Sequence, residues 1–122
     1  MKTKRFFDKV FVVDVVALSG TKDEINKWLK KEKSDYKISE GVEGFCCREE
    51  GKAFWVYISN PSDFYALLHE VIHLVGMITD RNGVGACLMR SATEVDETLA
   101  YYLSYWFKEL WRFYGKLKKG KK

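Results

Sequence analysis

Two histidines and a glutamate carry the chemistry of this chain. His69-Glu70-Val71-Ile72-His73 contains the only two His among 122 residues, four positions apart. On an α-helix, residues i and i+4 share a face, so two imidazole nitrogens can converge on one ion from a rigid support. Glu70 lies about 100° around the same helix from His69, free to act on a water beside the ion without being a ligand. This is the H-E-x-x-H spacing used for zinc-assisted hydrolysis. Buried polar groups need partners, and a metal provides one for two histidines on an otherwise apolar helix.

A catalytic zinc takes a third protein ligand and keeps one position open. Three downstream acids qualify: Glu97, 24 positions after His73, Glu94 one turn before it, and Asp80 at the end of the motif helix. Glu97 is the expected ligand. Ala100 and Ser104 on its face are small enough for close helix approach, and Tyr101 at i+4 can offer a hydroxyl to the site. Glu94 is already accounted for by a capping role.

Secondary structure must position these groups. The motif helix is predicted over 62–79, with Asn60 as its cap, Pro61 at its first position and Asp63 near the positive end of its dipole. It stops at Asp80-Arg81-Asn82-Gly83. Phe64, Leu67, Leu68, Val71, Ile72, Leu74, Val75 and Ile78 make it apolar nearly all round, so it is expected to be buried. Upstream, the valine-rich stretch 10–18 reads as a largely buried strand. Thr21-Lys22-Asp23-Glu24 is a capping box opening an amphipathic helix to about Lys33. Residues 34–44 read as a loop. Residues 45–49 and 52–59 read as hairpin strands around Glu50-Gly51, with Phe54, Val56 and Ile58 on one face and Ala53, Trp55, Tyr57 and Ser59 on the other. Ser91-Ala92-Thr93-Glu94 is a second capping box. It opens a long helix over 92–115 in which Val95, Leu99, Tyr102, Trp106, Leu110 and Phe113 recur at helical spacing. The expected class is α+β, one domain over 1–115 with a flexible tail over 116–122.

The motif and the downstream acid resemble the gluzincins, whose zinc is held by H-E-x-x-H plus a later Glu. The size resembles the minigluzincins, minimal members of that group. The resemblance implies a zincin-like fold: a backing helix at 21–33, a small sheet of about three strands, the motif helix, and a glutamate helix at 92–115. It implies zinc on His69, His73 and Glu97, with Glu70 as general base and acid in peptide-bond hydrolysis. Larger members carry an Asp four positions after the ligand Glu. Here that position is Tyr101, which can do the same through its hydroxyl, and no downstream His is present to steady an oxyanion. The stretch from His69 to Gly76 also fits the opening of metzincins, with Cys87-Leu88-Met89 resembling their Met-turn. Their third ligand would fall on Thr79, one residue before Asp80, and Met89 follows too closely, so the gluzincin pattern fits better. The edge strand that receives an extended substrate in such folds is expected at 52–59, where the Trp55 and Tyr57 face could contact the peptide, although core packing is the more common fate of such side chains.

Composition bounds the remaining readings. Lysine and arginine total 21 against 17 acids, but five lysines lie in 116–122; without them 16 bases face 17 acids. A near-neutral body argues against a nucleic-acid-binding domain, which carries its charge on a folded face. The tail could make weak, salt-dependent contacts with nucleic acid. The three cysteines, Cys46, Cys47 and Cys87, form no disulfide or zinc framework and fit a reducing cytoplasm. Charges at Asp8, Lys9 and Asp14 interrupt the N-terminal apolar stretch, which argues against a signal peptide, and no run is long enough to span a membrane. The expected partner is a peptide or protein substrate. Trp106, Phe107, Trp111 and Phe113 surround the last helix and offer material for a core or a homo-oligomer face. A zinc-bound module without turnover is the alternative function, and the Cys87 thiolate could occupy the open zinc position.

Overall fold

The computed structural model describes residues 1–48, 53–81 and 93–120, with side chains throughout these ranges except at 81, 93–98 and 118–120. The element order is β1 (Lys2–Asp8), β2 (Val13–Ser19), α1 (Lys22–Lys31), β3 (Gly44–Arg48), β4 (Phe54–Ile58), α2 (Phe64–Arg81) and α3 (Thr93–Gly120). The class is α+β, and the mixed sheet has four strands in the order β1-β2-β4-β3. β2 and β4 are parallel, while both outer strands run antiparallel to their neighbours.

The extra strand corrects the expected count of about three. β1 precedes the valine-rich stretch and pairs with β2 from Lys2↔Ser19 to Asp8↔Val13. Residues 9–12 make the turn between the two, so residues 10–12 fall outside the strand expected over 10–18; Val12 has φ 53°. The burial pattern of β1 explains why it was hard to see: Phe6 and Asp8 are buried, but Lys2, Thr3, Lys4, Arg5 and Phe7 are exposed on an outer strand.

The sheet is covered on both faces. Val16, Leu18, Trp55 and Tyr57 pack under α1 through Ile25 and Leu29. Val15, Ala17, Phe54, Val56 and Ile58 pack under α2 and α3 through Val71, Leu74, Ile78, Trp106, Leu110 and Tyr114. β4 is therefore an interior strand, which overturns the expected substrate edge, while Trp55 and Tyr57, 3% and 1% exposed, take the more common fate of such side chains and pack in the core beneath α1. The outer strand on that side of the sheet is β3, and no other strand pairs with its far side among the described residues.

Helix boundaries follow local chemistry. The Thr21–Glu24 capping box is formed, with Glu24 N–H donating to Thr21 Oγ1 at 3.2 Å and Thr21 N–H to Glu24 Oε1 at 2.9 Å. The Asn60-Pro61 segment is a turn rather than the start of α2. Ser62 N–H donates to Asn60 Oδ1 at 2.9 Å, and Asp63 takes over the cap by accepting from Ala66 N–H at 2.9 Å. The second expected capping box at 91–94 lies outside the described residues and side chains. α3 continues five residues past the expected end, through Gly120. Leu117 packs partly buried against the core there, and lysine is a good helix former.

Candidate metal centre

α2 brings His69 and His73 together on its solvent face. Their Nε2 atoms are 3.1 Å apart, and the rings meet edge to face at 4.6 Å. Two imidazole nitrogens on one tetrahedral zinc, each about 2.0–2.1 Å from it, stand about 3.3 Å apart. The observed separation matches that requirement to within a few tenths of an ångström. Without a metal, the same distance is met by one imidazole N–H donating to the other ring. The histidines are exposed because they lie on the side of α2 opposite the core; Tyr65, Ile72, Gly76 and Asp80 share that solvent side.

Glu70 points elsewhere. It is 7% exposed and lies beneath β3, where a Cβ added to Gly44 would meet Glu70 Oε2 at 3.2 Å and Cγ at 3.3 Å. None of the described residues donates a hydrogen bond to its carboxylate. Burial holds the Glu70 carboxyl above the usual carboxylate range, and the charges of His69 and His73 pull it partly back. A largely buried acid to which no described residue donates, one residue from a convergent histidine pair, is unusual as pure architecture. It is suited to exchanging a proton with a water near the pair.

Three groups around Glu70 went unrecognised in the sequence. Gly44 permits the close approach of β3. Cys46, on the same side of β3, has its thiol pushed up by burial and then by the charges of Glu70 and Cys47. Tyr36, in the segment before β3, is raised by burial, then by Cys47 and Glu70, and its ring packs on Phe45 at 4.9 Å. Only the glycine carried a usable signal, since a glycine within a strand marks a close backbone approach.

The expected third ligands fare differently. Phe64 packs on Phe107 and Trp111, while Thr79 borders the same groove as Leu99 and Tyr102. α3 thus runs antiparallel to α2, with its first turns beside the C-terminal end of the motif helix. Glu97 falls in those turns, and its side chain and that of Glu94 lie outside the described side chains. Asp80 is exposed, seven residues and about 10 Å of helix rise beyond His73. Among the described residues no third His, Cys, Asp or Glu joins the histidine pair. Tyr101 is 73% exposed and lines a groove beside the β1–β2 turn, without a hydrogen bond to His69, Glu70 or His73. Cys87 lies outside the described residues.

No protein-family model, curated protein or solved structure matches the chain. The functional reading rests on the site alone. Among the described residues no helix is long and apolar enough to cross a membrane.

Proposed function

We propose that the chain is a zinc-dependent peptidase of minimal gluzincin type. The observation that carries this reading is the pair of imidazole nitrogens 3.1 Å apart, followed directly in sequence by a buried carboxylate that no described group satisfies. The donor set suits zinc: neutral imidazole nitrogens, with a carboxylate from the first turns of α3 as the third ligand. His69, His73 and Glu97 hold the ion in this reading. Bound there, zinc supplies Lewis acidity, which eases deprotonation of water and polarises a carbonyl.

The remaining steps belong to the chain. Glu70 removes a proton from the attacking water and delivers it to the departing amine. Its raised proton affinity favours the first half of that cycle, in which the carboxylate takes the proton. β3 is the outer strand next to Glu70, and no strand pairs with its far side among the described residues. An extended peptide laid along that edge would be held by main-chain hydrogen bonds, with its scissile bond beside the histidines. The Tyr101 hydroxyl has no support for a role at this site.

The test uses the full chain. Dialysis against zinc followed by elemental analysis is expected to give about one zinc per chain, lost in His69→Ala, His73→Ala and Glu97→Ala. Retention in Glu97→Ala with loss in Glu94→Ala or Asp80→Ala reassigns the third ligand. A peptide library is expected to be cleaved only by the zinc-loaded protein. Glu70→Gln should keep zinc and lose roughly 10²–10⁴-fold in turnover. A protein that binds no zinc refutes the proposal, and one that binds zinc but cleaves nothing is a binding module.

A further inference from the structure

A second site lies at the other edge of the sheet from Glu70. A groove of about 550 Å³ opens beside the β1–β2 turn, between that turn and the first described turns of α3. Its walls include Phe7, Phe11, Tyr101, Tyr102 and Tyr105, and Asp8 lies among them. Three of the rings are left to solvent: Phe7 is 55%, Tyr101 73% and Tyr105 46% exposed. The volume falls in the range of small-molecule pockets, roughly 300–1,000 Å³.

Asp8 sets the chemistry of this groove. It is 4% exposed, yet no described basic group forms an ion pair with it. Its two hydrogen-bond donors are neutral: Val10 N–H at 2.9 Å to Oδ1, and the Tyr102 hydroxyl to Oδ2. Burial, and then the bond to Asp8, raises Tyr102 well above the usual tyrosine range, so that hydroxyl stays protonated and keeps donating. A buried charge without a counter-charge is rare, because desolvation is offset only by an opposite charge or a full set of hydrogen bonds. Each carboxylate oxygen has a further lone pair, and the surrounding aromatic faces are themselves electron-rich.

We propose that this groove binds a small organic cation, an alkyl- or arylammonium, with its positive charge toward Asp8 and its apolar body against the rings. An anion would meet the carboxylate. A neutral apolar ligand would cover the carboxylate and leave it without a counter-charge from any described residue. The cation answers both demands, by Coulomb attraction to Asp8 and by cation–π contact with the exposed rings. Lys9 also borders the groove and is the one ammonium among the described residues there; it competes with the ligand from the rim. The site is independent of the peptidase reading, since Glu70 lies against β3 at the opposite end of the strand order.

The probe is benzyltrimethylammonium, with benzyldimethylcarbinol as the uncharged compound of the same shape, titrated into the full-length protein. Two-dimensional NMR follows the tyrosine rings and the Trp106 indole. The ammonium should shift Tyr101 and Tyr105 saturably with a Kd of about 1 mM, and the carbinol should bind at least about tenfold more weakly. Asp8→Asn should weaken the ammonium about tenfold, Tyr105→Leu about threefold, and Lys9→Gln should strengthen it about threefold. Should Asp8→Asn fail to fold by circular dichroism, Tyr105→Leu and the carbinol comparison decide, because Tyr105 is half exposed. Binding should be the same with and without added zinc. Equal affinity for ammonium and carbinol, or no saturable shift to about 20 mM, overturns the proposal.

Discussion

Replacing Gly44 with alanine tests the packing that holds Glu70 in place. A Cβ at residue 44 would stand 2.7 Å from the Tyr57 carbonyl oxygen and 3.2 Å from Glu70 Oε2. The two contacts differ in kind. The Glu70 oxygen is the far end of a side chain and can yield. The Tyr57 carbonyl cannot: Tyr57 is 1% exposed in an interior strand, and its hydroxyl donates to Gly20 O at 3.1 Å. The start of β3 must therefore lift away, against the Gly44↔Ile58 register and the neighbouring Ser59 N–H bond to Glu43 O at 2.8 Å. Overpacking of this kind costs about 1–3 kcal/mol. For a domain of this size that lowers Tm by about 4 °C per kcal/mol. Thermal unfolding of zinc-free Gly44→Ala should therefore show a loss of about 4–12 °C. Zinc content should not change, because the added Cβ meets Tyr57 and Glu70 and neither histidine. A cycle with Glu70→Ala separates the two contacts: most of the cost should persist, leaving a coupling energy below about 1 kcal/mol. A Tm within about 1 °C of the parent would refute the argument that β3 cannot retreat freely.

Other consequences can be checked on the same protein. Glu70→Gln should stabilise the zinc-free protein by about 1 kcal/mol at pH 7, by removing a largely buried charge to which no described residue donates a hydrogen bond. The folded carboxyl is raised above its ordinary value, so its penalty is absent below that ordinary value and grows as pH rises through the folded one; unfolding curves of parent and variant should converge in acid. Tyr114→Phe removes a buried hydroxyl that donates to Leu18 O at 2.9 Å and lies 3.2 Å from Val56 O, and should cost about 1–3 kcal/mol in denaturant titration. Val12→Asn should raise stability by about 1 kcal/mol, since a β-branched residue there is held at φ 53° while 67% exposed.

What the sequence revealed, and what it concealed, follows from how local each signal is. The H-E-x-x-H helix, the Thr21–Glu24 box and the alternation of Phe54, Val56 and Ile58 are written in neighbouring residues, and each was legible. β1 was not, because an outer strand with lysines on it has little hydrophobic alternation to read. The identity of the free edge was hidden for a different reason. Strand order is a long-range property, and nothing within 52–59 says that β3 will cover its far side. Asp63 displaced Asn60 as the cap because Pro61 and Asn60 closed a turn first, a contest between two good local solutions. Burial of Glu70 depended on Gly44, some 26 positions upstream in a different element. Tyr114 was overlooked beside Phe113, although it is Tyr114 that reaches the sheet.

On the ribosome, all four strands and α1 are made before either of the helices that cover the second face of the sheet. That face, with Phe6, Val15, Phe54, Val56 and Ile58, is not fully covered until the chain has grown from Ile58 to Tyr114. At roughly 5–20 residues per second the interval is about 3–11 s, long compared with the collapse of a chain this short. The nascent protein must therefore pass through a stage in which a half-covered sheet looks for apolar company. Tyr114, binding the carbonyl of Leu18 across 96 positions, closes that stage. A chain released short of it would have the H-E-x-x-H motif complete and the sheet still open.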